Sequence, residues 1–172
     1  VVTSTNARQI VETFDKDEKI IFGPDRNLGN YINSITGRNM LLWDGACHVH
    51  EKFSVEKIIK LKEVYPDALV LAHPECKKPV LTVADYVGST AALLKFSTKS
   101  DCNVFIVATE SGILHEMQKA NPKKTFIPAP PNDSTCACNE CNFMRLNTLE
   151  KLYDCLKNET PEILIDEKMQ KA

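Results

Sequence analysis

Short, continuously apolar runs alternate with amphipathic stretches along this 172-residue chain. The runs are KIIFGP (19–24), NMLLWDG (39–45), ALVLAHP (68–74) and NVFIVAT (103–109), with a weaker one at KTFIPAP (124–130). Between them, NARQIVETF (6–14), SVEKIIKLKEVY (54–65), STAALLKFS (89–97) and SGILHEMQKA (111–120) carry apolar residues at helical spacing. A last amphipathic stretch, LNTLEKLYDCLKNE, covers 146–159. Runs too short for helices and without polar alternation are typical of strands buried on both faces, and helices between them bring such strands together in parallel. The pattern predicts an α/β fold with buried parallel sheet.

The pattern also repeats. Sliding the chain by 85 residues lays VVTSTNARQIVETF (1–14) on YVGSTAALLKFSTK (86–99), and IIFGPDRNLGNYI (20–32) on FIVATESGILHEM (105–117). Only six positions are identical in this overlay, so identity carries little. The order of strand, Ser-Thr turn, helix, strand, acidic turn and helix is preserved throughout, and that order marks a structural repeat. Each copy ends in cysteine: Cys47 after the first, and the group Cys136, Cys138 and Cys141 beyond the second. A further copy upstream would carry a cysteine roughly 40 residues before Val1. The opening VVTSTNA lacks an initiator methionine and reads as the end of a strand, so a fragment of a longer protein is expected.

Composition narrows the function classes. With 43% hydrophobic and 26% charged residues and a net charge of −2, the chain has no basic excess to suggest a nucleic-acid partner. No apolar run approaches a membrane span and no signal-peptide pattern is present, so no membrane partner is expected. Seven cysteines in such a chain, an odd number, are expected to be reduced thiols in the cytoplasm, some of them metal ligands.

Three features could carry chemistry. Cys47, in WDGACHVH, lies just past a strand, where open α/β sheets place ligands; the plain alternative is a buried free cysteine beside two exposed histidines. The group C-x-C-x-x-C at 136–141 is too tight for a zinc ribbon. Its spacing leaves open a zinc site that recruits Cys47 or a histidine, a dithiol redox pair, and thiolates from separate repeats converging on an iron–sulfur cluster. AHPEC (72–76) puts His73 and Glu75 at the end of a strand, suited to general acid–base work or to an ordinary proline-containing surface loop. Cys76 is adjacent but does not share the repeat-terminal position of the other cysteines.

TSTNA and GSTAA each place a Ser-Thr pair where a strand enters a helix. One residue of each pair is expected to cap the helix, and the same N-terminus can take a phosphate or carboxylate. No G-x-x-x-x-G-K-[ST] pattern is present, so nucleoside triphosphate binding is not indicated.

PDRNLGNYI, LWDGACHVHE, YPDALVLAHPEC, ADYVGST, ATESGILHEM and CNFMRLNTLEKLY, in this order over nearly the whole chain, resemble the quinolinate synthase family of bacterial NAD biosynthesis. The resemblance implies repeated αβα three-layer domains with small parallel sheets, three of them about a pseudo-threefold axis in the intact protein. Residues 1–47 would be most of the second domain, 48–135 the third, and 136–172 a cluster-ligand loop and C-terminal helix packing on the absent first. It implies a [4Fe–4S] cluster held by one cysteine per domain, Cys47 and Cys141 being the two present here, with one iron open as a Lewis acid. The implied reaction condenses iminoaspartate with dihydroxyacetone phosphate, losing phosphate and water, to give quinolinate. His73 and Glu75 would then move protons, while Ser4, Ser89 and Thr90 would grip phosphate and carboxylates. A functional link to L-aspartate oxidase or aspartate dehydrogenase follows from the same resemblance. Two departures stand out: the family's C-x-x-C-x-x-C is C-x-C-x-x-C here, and Asn142 replaces a usual proline. A disulfide between Cys136 and Cys138 would be strained, which argues against a regulatory disulfide there. Outside the family, a non-catalytic zinc or dithiol module at 136–141, or an α/β domain binding a phosphorylated metabolite, are the competing readings.

Overall fold

The structure is a computed structural model and describes residues 2–132 and 139–171. It divides into two compact units, Val1–Glu140 and Cys141–Ala172.

The first unit contains two parallel sheets. Helix α1 (Ala7–Glu12) precedes β1 (Ile21–Phe22), α2 (Arg26–Thr36) and β2 (Leu41–Leu42), and β1 pairs with β2 in parallel. A one-turn 3-10 helix at His50–Lys52 leads into α3 (Val55–Val64), β3 (Leu69–Ala72), α4 (Lys78–Thr82) and β4 (Tyr86–Val87). Then come α5 (Thr90–Lys99), β5 (Val104–Ala108), α6 (Gly112–Ala120) and β6 (Thr125–Pro128). The second sheet has the order β4-β3-β5-β6, with every pairing parallel. The predicted α/β class with small parallel sheets is therefore what the chain adopts, and all five apolar runs contain a strand.

The core follows from the strand sequences. Leu71, Phe105 and Val107 pack with Leu93 of α5 and Met117 of α6 on one face of the larger sheet. The alternate residues Val70, Ala72, Ile106 and Ala108 are equally buried, and α3 and α4 contribute buried Ile58 and Val80. Each such large side chain stabilises the fold by about 1.5–3 kcal/mol, which is why these runs show no polar alternation. Around β1 and β2 a second cluster joins Ala7 and Val11 of α1 to Phe22, Leu28, Ile32 and Met40.

The 85-residue repeat is visible in these elements. It carries α1 onto α5, β1 onto β5, α2 onto α6 and β2 onto β6, with the last pair offset by one residue: Ile21 faces Leu41, whereas its counterpart Ile106 faces Ile127. The two copies differ in cover. Ile106 is fully buried, while Ile21, Leu41 and Trp43 are 77%, 67% and 67% exposed on the open face of the two-stranded sheet. Strand β3 and helices α3 and α4 precede the second copy, which opens with β4.

Helix ends are set by side chains. Asp25 caps α2, its Oδ1 accepting from the Leu28 amide at 2.8 Å, and Gly37 ends the helix at φ +69°, a conformation costly for residues with a Cβ. Ser54 caps α3 and Ser89 caps α5. The expectation for the first Ser-Thr pair is corrected: neither Ser4 nor Thr5 caps α1, because Asn6 holds the N-cap position and Ser4 turns elsewhere. Val2 and Thr3 likewise lie outside any strand.

In the second unit a 3-10 turn at Met144–Leu146 precedes α7 (Leu149–Asn158), capped by Thr148, and the short α8 (Glu167–Gln170). Among the described residues no helix is long and apolar enough to cross a membrane.

Candidate active site

Parallel strands end on the same edge of a sheet, and here three neighbouring strands release chemically active side chains together. His73 follows β3, Ser89 comes two residues after β4, and Thr109 follows β5. Backbone bonds continue the ladder past the strands: the His73 amide donates to Ala108 O at 3.1 Å and the Gly88 amide to Ala72 O at 3.1 Å.

The segment after β2 reaches this edge through a loop held at both ends of Asp25. The Arg26 amide donates to Gly45 O at 2.8 Å, and the Cys47 amide donates to Asp25 Oδ2 at 2.7 Å. A Cβ at Gly45 would run into the Pro24 carbonyl, so only glycine lets the loop pass so close. Asp25 is buried, and burial pushes its carboxyl pKa up despite the amides of Leu28, Cys47 and Asn27, which favour its charged form. Removing it strands both the α2 N-terminus and the Cys47 amide. We expect Asp25→Ala to lose about 1–3 kcal/mol of stability, read by urea unfolding, and to speed alkylation of Cys47, read by mass spectrometry.

Behind Cys47 the chain turns into the 3-10 helix, bringing His50 three residues on into the centre of the site. His50 is buried, so the alternative of two exposed histidines does not hold for it. Its Nε2 lies 3.0 Å from Thr109 Oγ1, its Nδ1 lies 3.1 Å from Glu75 Oε2, and its ring stacks on His73 at 4.6 Å. His73 is also buried, so the surface-loop alternative for AHPEC does not hold for it. The Glu75 amide donates to His73 Nδ1 at 3.3 Å. That leaves the proton on Nε2, which donates to Ser4 Oγ at 3.0 Å.

Two stacked imidazoles cannot both hold a proton cheaply. Burial lowers the pKa of each, but for His50 the Cys47 thiol and Glu75 carboxylate outweigh it and raise the value to about 9. For His73, burial and the neighbouring His50 charge act together and lower it to about 4. Glu75 is held below the usual carboxylate range, its burial outweighed by His50 and His73. The Cys47 thiol is likewise lowered, because His50 outweighs the effect of burial. The arrangement thus combines a neutral imidazole, an ionised carboxylate and an activated thiol.

The structure brings together Ser4, Cys47, His73 and Glu75 of the residues predicted from sequence. Ser89 and Thr90 lie at the same sheet edge, Ser89 Oγ accepting from the Ala92 amide at 3.4 Å and Thr90 exposed. Cys141 belongs to the second unit; Cys136 and Cys138, with the disulfide considered for them, lie outside the described residues. Cys76 is fully buried and donates its thiol to Ala108 O at 3.3 Å, with its pKa raised by burial. Sequence reasoning missed His50, Thr109 and Asp25. Their signals were present: His50 stands three residues after Cys47, and Thr109 ends the same apolar run as Ala108.

The donor set suits an iron–sulfur cluster in part. Cys47 is a half-buried, activated thiol without a disulfide partner among the described residues, as a ligand to soft iron requires.

All of residues 1–172 match the family model described as quinolinate synthetase A protein. Three curated relatives named quinolinate synthase are similar over the full chain. They come from Thermosynechococcus vestitus (56% identical), Chloroherpeton thalassium (59%) and Synechococcus sp. (56%). The chain covers 54%, 53% and 54% of them respectively, so it spans about half the length of the curated relatives it matches. On a match running from the first residue to the last, the chain belongs to the quinolinate synthetase A protein family.

Proposed function

We propose that this chain is part of a quinolinate synthase, which condenses iminoaspartate with dihydroxyacetone phosphate to form quinolinate for NAD biosynthesis in the cytoplasm. The observation that carries this reading is the grouping of Ser4, Cys47, His73 and Glu75 at one sheet edge, in a chain similar throughout to proteins of that name. Iminoaspartate is an unstable imine, so an aspartate-oxidising enzyme such as L-aspartate oxidase or aspartate dehydrogenase would supply it.

The reaction needs proton removal next to carbonyl and imine carbons and protonation of leaving oxygens. His73, neutral and oriented by Ser4 and the Glu75 amide, would accept a proton or return one in these steps. Glu75, ionised beside His50, would offset the charge that develops on His73. Ser4, together with Ser89 and Thr90 at the start of α5, would hold phosphate and carboxylate oxygens. Cys47 and Cys141 would be two ligands of a [4Fe–4S] cluster. Bound there, the cluster would supply Lewis-acid polarisation of a substrate oxygen or nitrogen.

The third ligand would come from the part of the relatives that this chain does not span. We propose residues 1–47 as most of a second domain, 48–135 as a third, and 136–172 as a loop and helix packing on a first, around a pseudo-threefold axis. The open face of Ile21, Leu41 and Trp43 supports an incomplete second domain. The test is to purify the full-length protein anaerobically and measure iron, acid-labile sulfide and quinolinate formation together. The expected result is near four irons and four sulfides per chain with quinolinate produced. Metal-free protein that still makes quinolinate, or cluster-loaded protein that makes none, would overturn the proposal.

A further inference from the structure

We propose that Cys47, His50 and Glu75 form a binding site for one zinc-type divalent cation, occupied when no iron–sulfur cluster holds Cys47. The three ligand atoms, a thiol sulfur, an imidazole nitrogen and a carboxylate oxygen, all lie within 4.8 Å of one another. Zinc binds Cys, His and Glu at about 2.0–2.3 Å, which puts the atoms of a tetrahedral set roughly 3.3–3.6 Å apart. Glu75 Oε2 and His50 Nδ1 already stand 3.1 Å apart. Bringing in the sulfur takes a movement of roughly 1 Å, within reach of rotation about the cysteine side chain.

A second observation points to a ligand. The His50 side chain is 7% exposed, and its Nδ1 is aimed at Glu75 Oε2 from 3.1 Å. The opposite nitrogen is fixed, with Nε2 3.0 Å from Thr109 Oγ1. Ligating histidines have this arrangement: one ring nitrogen donates to an outer group, which sets the tautomer and aims the other at the metal. Thr109 would accept Nε2–H, leaving Nδ1 for the cation.

Charge favours the same occupant. A dication bound by the Cys47 thiolate, the Glu75 carboxylate and a neutral His50 sums to zero, so no net charge is left buried. Binding would displace the protons of the thiol and of Nδ1 into solvent, with no change of oxidation state. Three protein ligands leave a fourth position for water, as in open zinc sites. Because Cys47 is shared, zinc and cluster would exclude each other there, and zinc would block cluster assembly.

This proposal does not depend on the reaction assigned above, only on Cys47 being free of iron, and its test is separate. Full-length protein prepared without iron or sulfide is incubated with zinc or cobalt, desalted and assayed for metal. The expectation is about one zinc per chain, with a cobalt spectrum of four-coordinate geometry and one thiolate-to-metal band. Cys47→Ser, His50→Ala and Glu75→Gln should each lose the metal. Thr109→Val should bind ~10–100-fold more weakly, with ligands intact. Zinc-loaded protein should take up little iron and sulfide until a chelator is added. No stable zinc in the wild type would overturn the proposal. So would a cobalt spectrum of several thiolates, or zinc retained in His50→Ala and Glu75→Gln but lost in Cys141→Ser, since both describe an all-cysteine site. The wild-type cobalt spectrum decides even where a variant fails to fold.

Discussion

Serine at Cys47 in the full-length protein is expected to abolish the iron–sulfur cluster and quinolinate formation together, whereas serine at Cys76 leaves the cluster in place. The two thiols lie in the same unit but in opposite environments. Cys47 is half-buried with its pKa lowered beside His50, so it is readily the thiolate that soft iron binds. Cys76 is 0% exposed, its pKa is raised by burial, and its thiol is committed to Ala108 O. A serine hydroxyl can keep that bond, so Cys76→Ser should remain folded. Iron and sulfide analysis with the visible spectrum of anaerobic protein checks both variants. Loss of the cluster from a folded Cys76→Ser protein would reverse the ligand assignment.

Alanine at His73 is expected to leave the cluster intact and to lower kcat by ~10²–10⁴-fold, the range for a proton-transferring group. His73 makes none of the bonds that position Cys47, which depends on Asp25 and Gly45. What it contributes is a neutral imidazole with its proton on Nε2, held by Ser4 on one side and the Glu75 amide on the other. Ser4→Ala should therefore cost less than His73→Ala, because the Glu75 amide still orients the ring. Steady-state kinetics beside iron content separates chemistry from cluster loss. A near-wild-type rate for His73→Ala would remove it from the mechanism.

Much of this arrangement was legible along the chain because it depends on local chemistry. Apolar runs of strand length stated which segments would be strands, and each holds one, although β1 and β2 leave Ile21 and Leu41 exposed rather than buried on both faces. The repeat came from the order of turns and helices rather than from identity, and its elements recur at the 85-residue spacing with one residue of offset in the last strand pairing. The offset itself was not legible, since pairing register depends on which partner residue meets Ile21 or Ile106 across the sheet. Helix α4 gave too little periodicity to be identified as an element and is held by burying Val80, whereas β4 is the short strand expected before the second Ser-Thr turn and pairs with β3.

The site divides in the same way. Cys47, His73, Glu75 and Ser4 could be named because strand ends, repeat ends and family motifs are properties of the sequence itself. His50 looked exposed because polar residues in a loop usually are, and nothing nearby in sequence indicates what covers it. The cover comes from Thr109, 59 positions away, and from the stacked ring of His73. Ser4 illustrates the converse. Its local setting favours a helix cap, yet the end of β3 offers it His73 Nε2 at 3.0 Å, 69 positions along the chain. Sequence by itself determined the α/β class, the repeat and four of the side chains that meet at the sheet edge, because these follow from periodicity and residue chemistry over short windows. Only the tertiary structure decided which imidazole carries the charge, because stacking, burial and carboxylate contact arise only where parallel strands distant in sequence end side by side.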